Sequence, residues 1–270
     1  MRGKDLIIAF SLASFTIALG LILYLEGLGP LPARDLRFLA TSILKNIFNP
    51  WEANLTTYSL NAVSAVIWDY RALDTILETA VLFAAITGVT ALFREFFNVP
   101  NTNLQSLSVV VRASTKVVLP LIVLVGTSLA IHGHLSPGGG FQGGAVLAVA
   151  PALLITVFSL RIVYDLKLKA EFLLGIRFSA LLLIILLSLT PPILASISGV
   201  KGYVLQNMGK ADSPLSMPAW FLNTPLAGSI FFFNVLETVA VVAGLTLCIL
   251  LVSVEWGKIK NFLTRDENRE

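Results

Sequence analysis

The stretch LIIAFSLASFTIALGLILYL, Leu6–Leu25, holds twenty residues without a charge. At 1.5 Å of rise per residue it reaches about 30 Å as a helix, the thickness of a bilayer's hydrocarbon core. Arg2 and Lys4 precede it as in a signal peptide, but the apolar part is too long and no small-residue cleavage site comes before Glu26. It is expected to be a retained spanning helix. Five further runs share the pattern: Ala72–Phe93, Ala113–Ile131, Phe141–Leu160, a run within Phe172–Ile197, and Ile230–Val252. The chain's 270 residues are 56% hydrophobic and 13% charged, with mean hydropathy +0.84. Soluble domains carry about 25% charged residues, so a soluble globule is excluded. The expected fold is all-α, a polytopic membrane protein of about six transmembrane helices in the cell membrane.

Thirteen of the nineteen Lys and Arg residues fall on one side of these spans: Arg2, Lys4, Arg94, Arg112, Lys116, Arg161, Lys167, Lys169, Arg177, Lys258, Lys260, Arg265 and Arg269. Arg34, Arg37, Lys45, Arg71, Lys201 and Lys210 occupy the other. The positive-inside rule then places both termini in the cytoplasm. A net charge of +3 gives no footing for nucleic acid, and the single cysteine, Cys248, excludes an intrachain disulfide or a thiolate-clustered metal centre. Leu36–Phe48 has helical apolar spacing and suits a surface helix. Ser198–Thr224, rich in Gly, Pro and Ser, reads as an external loop, and Phe97–Gln105 with Pro100 reads as a boundary between two modules.

An ionised side chain at the bilayer centre costs about 2.5–3.5 kcal/mol on insertion scales. Buried charges therefore mark either a path or a clamp. Arg71, Asp74, Thr75 and Glu78 follow helical spacing and should form one polar stripe, with Asp69 just outside. Two carboxylates beside a hydroxyl can exchange a proton or hold a transient Na⁺ near Asp74 and Glu78. Glu237 lies among apolar and small residues, with Asn234 and Thr238 beside it and Lys116 as a candidate partner. Clamping of helices by these groups is the alternative.

Between the third and fourth spans runs HGHLSPGGGFQGG, His132–Gly144. Its G-x-G-x-x-G spacing has no strand before it, so no dinucleotide site is expected. Ser136 could cap a helix with Pro137 in its first turn. Gly138, Gly139, Gly140, Gly143 and Gly144 suit tight turning and close helix approach. His132 and His134 lack a third ligand for zinc; a proton relay continued by Gln142, or satisfaction by loop carbonyls, remains open.

This segment resembles the signature of the B-type subunit of the Mrp-type multisubunit monovalent cation/proton antiporters. The same module recurs in the sodium-translocating membrane arms of archaeal membrane-bound hydrogenases and related sulfur-reducing complexes. The resemblance covers about Arg112–Val254. WDYRALDTILETAVLFAAITGV, Trp68–Val89, resembles another module, the last part of the large A-type subunit of the same antiporters or a small separate subunit of hydrogenase complexes. The resemblance implies a two-helix module over 1–100, a four-helix B-type module over 101–254 and a cytoplasmic tail over 255–270. It implies a membrane subunit of a Na⁺/proton antiporter, or of a redox-driven complex carrying such an arm, with acidic residues on the ion path. A purely structural subunit that scaffolds its neighbours is the alternative. Implied partners are other membrane subunits, lipid, Na⁺ and H⁺. No cofactor and no catalytic chemistry are expected in this chain, although the larger assembly could be an oxidoreductase.

Overall fold

The computed structural model describes residues 3–25, 27, 37–52, 56–93, 107–158, 162, 166 and 169–253. By packing, the chain divides into residues 1–43 and residues 44–270. Six helices are long and apolar enough to cross a membrane: α1 (Gly3–Tyr24), α4 (Ala72–Leu92), α5 (Val109–Ile131), α6 (Gly140–Phe158), α7 (Ala170–Ser198) and α8 (Ser229–Val252). Each expected span is matched to within four residues at either end. The chain is a multi-pass membrane protein. The module boundary expected at Phe97–Gln105 and the tail 255–270 lie outside the described residues.

In the first unit, α1 is exposed on every side from Leu6 to Leu25. A helix apolar all round needs lipid or other membrane protein about it. The short helix α2 (Phe38–Ile47) crosses the division between the units.

The second unit is built around α8, the most enclosed span. It packs against α6 on one flank and α7 on the other, while α4 rests on both α7 and α8. α5 packs chiefly on α6. Small residues set these approaches. A methyl group on Gly143 would lie 2.9 Å from the Gly126 carbonyl oxygen of α5, and one on Gly144 would lie 2.7 Å from Cβ of Val241 on α8. The close-packing role expected of these glycines is met on two different helices.

α7 carries Pro191 and Pro192 inside it. Proline has no N–H to give to the carbonyl four residues earlier. The Ser188 carbonyl freed by Pro192 accepts instead from the Leu205 N–H at 2.9 Å. The following loop thereby completes the helix, which ends on left-handed Gly199.

Before α4, a one-turn helix α3 (Ala62–Ala65) passes into a π-helical turn, Val66–Tyr70. That turn reshapes the expected stripe. Arg71 lies outside the helix with non-helical backbone angles, and folds onto Asp74 as an exposed ion pair at 2.5 Å. The Thr75 hydroxyl donates back to the Ile67 carbonyl at 2.8 Å.

Candidate functional site

Of the acids expected in the membrane, one is buried and another is exposed. Glu237, 6% exposed, stands two turns into α8. Glu78 stands less than two turns into α4 and acts on it electrostatically. The Glu237 carboxylate lies against Gly140, at the first turn of α6. A helix N-terminus favours negative charge, which suits an acid that must reach its ionised form. Its Oε2 is buried and has no hydrogen-bond partner. The expected ion pair with Lys116 does not form, because on α5 it is the neighbouring Thr115 that faces inward while Lys116 is exposed.

One turn before Glu237, fully buried Asn234 ties three elements together. Its Oδ1 accepts from Trp68 Nε1 at 3.1 Å and from the Gly140 N–H at 3.2 Å. Its Nδ2 is left without a partner. Trp68 stacks on Phe233 at 4.8 Å, closing the site with two flat rings. The Thr238 hydroxyl bridges to the Gly140 carbonyl at 2.9 Å. Gly140 is required here: a methyl group would run into the Glu237 carboxylate and the Asn234 carbonyl.

The glycine-rich turn is clamped by an upstream segment. Asn61 Nδ2 donates to the carbonyls of Gly133 (2.7 Å) and Ser136 (2.8 Å), while its Oδ1 caps α3 by accepting from Val63 N–H. Ser64 donates to the Gly133 carbonyl at 2.6 Å and Ser59 to that of His134 at 2.9 Å. Gly138 has φ +141, which favours glycine. The cap expected of Ser136 is corrected: α6 begins at Gly140, and the Ser136 hydroxyl donates back to the His132 carbonyl. Pro137 accordingly precedes the helix by three residues.

The two histidines face different partners. His132 is exposed, with Nδ1 3.0 Å from the Ser128 carbonyl. His134 is buried, and its Nε2–H donates to the Pro225 carbonyl at 2.8 Å. Burial lowers its pKa, partly opposed by that hydrogen bond. Gln142 is exposed beside the turn.

Asp69 sits ahead of α4, outside the span. Burial raises its carboxyl to about 6 and the Lys210 ammonium opposes the rise. Asp212 in the same loop accepts from the Tyr203 hydroxyl at 2.5 Å, and Lys210 lies over the Tyr203 ring. Residues that sequence reading missed are Asn61, Ser64 and Trp68. Their roles depend on contacts spanning 69 to 166 positions, which no local pattern announces.

Residues 110–247 match the family model described as a domain related to the MnhB subunit of Na⁺/H⁺ antiporters. The chain belongs to this family. It is a membrane subunit of the cation/proton antiporter type, and the site above falls mostly within its MnhB-related domain. An uncharacterized protein of Methanocaldococcus jannaschii is 29% identical over 243 residues, covering 81% of this chain and 87% of that protein. A chain of the membrane-bound sulfane sulfur reductase, an archaeal respiratory membrane complex, superposes with TM-score 0.57 at 24% identity. It is matched over 92% of this chain and 99% of its own. A chain of the Mrp complex from Dietzia sp. DQ12-45-1b gives TM-score 0.57 at 20% identity, over 92% of this chain and 26% of its own. At these identities both establish the fold.

Proposed function

We propose that this subunit supplies part of the ion path of a larger membrane assembly, either a Na⁺/proton antiporter or a redox-driven complex carrying such an arm. Glu237 and Glu78 are its central groups. The observation that carries this reading is the Glu237 carboxylate: buried against the first turn of α6, with one oxygen unused and the charge of Glu78 acting on it.

The chemistry divides the work. The unused group beside Glu237 is an N–H donor, the free Asn234 Nδ2, whose own Oδ1 already accepts from the Gly140 N–H. Na⁺ is a hard cation that prefers several oxygen ligands, so Glu237 is a proton site. The free Nδ2 and free Oε2 can be bridged by one water, which accepts from the first and donates to the second. Glu78 and Asp74 are exposed on α4, where a neighbouring chain can add oxygens, and these are the groups for transient Na⁺. Arg71 and Thr75 position that end of α4. His132, His134 and Lys116 border the path rather than forming its core.

Both termini are taken as cytoplasmic, which puts Asp69, His134 and Lys210 toward the outside. The chain is further read as a fusion of an A-type segment with a B-type module. That reading is supported by Asn61 and Ser64, from the first, supplying hydrogen bonds to the turn of the second. The exposed Arg71–Asp74 pair must open for Asp74 to take Na⁺, at small cost, since surface ion pairs contribute little.

The test is Glu78→Gln in the complete assembly. Loss of sodium-linked proton movement with an intact complex on native gels is expected. Full transport, or a complex that falls apart, would favour a scaffold instead.

A further inference from the structure

Arg177 has no part in the chemistry above. It stands two turns inside α7 and is 1% exposed. Its guanidinium lies over the Phe83 ring of α4 at 5.2 Å. It also abuts Gly244 of α8, where a methyl group would sit 2.9 Å from Cζ. Nε and Nη1 are buried without hydrogen-bond partners, and among the described residues no carboxylate pairs with it. Ile86 meets it at Gly244, and Ile86 belongs to an apolar cluster with Leu173, Ala243 and Leu247, against which Cys248 packs. Guanidinium stays protonated in proteins. A fixed positive charge is therefore walled into the seam where α4, α7 and α8 meet.

Gly244 follows Glu237 by seven residues, so both lie on one face of α8, about 10 Å apart along its axis. A cation leaving Glu237 toward the C-terminal end of α8 would meet Arg177 at Gly244 and then the apolar residues Leu247, Leu250 and Leu173. An unpaired positive charge in a low-dielectric passage repels cations and excludes protons.

We propose that Arg177 is an electrostatic stop that closes the α4–α7–α8 seam to protons and Na⁺, so that ions at Glu237 leave sideways into neighbouring subunits and do not leak straight across this chain. Gly244 provides the notch that admits the guanidinium. The proposal rests on the reading of Glu237 as a path residue. A merely structural Arg177 would need its shape and stacking, whereas a stop needs its charge.

The experiment is passive leak of radiolabelled Na⁺ and of protons in vesicles holding the assembled complex, with no driving reaction. Arg177→Gln is expected to raise the leak about tenfold, the order that removing one unit charge at this range implies. Arg177→Lys keeps the charge and should leak no more than the parent. Adding Glu237→Gln to Arg177→Gln should abolish the extra proton leak. An assembled Arg177→Gln complex with parental leak would overturn the stop, and so would an Arg177→Gln complex that fails to assemble. Glu237→Gln alone separates the two readings. If it leaves driven transport intact, the path reading falls; if it abolishes transport while Arg177→Gln stays tight, only the stop falls.

Discussion

Asn234 and Asp69 show how single side chains set conditions here. Asn234 Oδ1 serves two donors in a buried site. Asn234→Ala should cost about 1–3 kcal/mol by leaving the Trp68 and Gly140 N–H groups unpaired, read as a lowered melting temperature of the purified complex. Asp69 titrates near 6, above its ordinary value. Its burial therefore costs nothing below about pH 4, where it is protonated folded or unfolded. The cost grows as pH rises and is complete above about 6. Asp69→Asn should make the protein more stable at pH 7 and flatten that slope, and an unchanged pH–stability profile would count against it. His134 works in the opposite sense. Its lowered pKa gives stability that is present above about 6.5 and is lost as pH falls below it.

At the scale of elements, glycine positions decide which helices touch. Gly140→Ala should destabilise by about 1–3 kcal/mol through overpacking against α8. Gly88→Ala, on open α4 surface with nothing nearby, should leave assembly and melting unchanged. Loss from both or neither would contradict the packing described. The sequence made the helices legible because apolar runs of bilayer length are unambiguous, and it singled out Glu237 because a lone acid there is costly. It could not show that the charge of Glu78 acts on Glu237, since that depends on α4 lying against α8. Ser136 misled because Ser-Pro is a good helix start in isolation, yet Asn61 holds the turn open through its carbonyls until Gly140. Arg177 was counted only as a charge near the membrane surface. Its burial depends on the Gly244 notch across the seam.

For the whole molecule, α1 and the outward faces of α5 and α7 are broadly apolar and exposed, as suits a protein embedded in lipid and among other subunits. Orientation is testable at Lys210. In a background with Cys248→Ser, Lys210→Cys should react with an impermeant maleimide added outside intact cells. Labelling only in inverted vesicles would reverse the topology and with it the direction of every step. The account depends most on Glu237 carrying protons within the assembled complex. Sodium-dependent proton movement should therefore be measured in vesicles matched for assembled complex, comparing the parent with Glu237→Gln. Abolished exchange with normal assembly is expected; exchange at the parental rate would contradict the account.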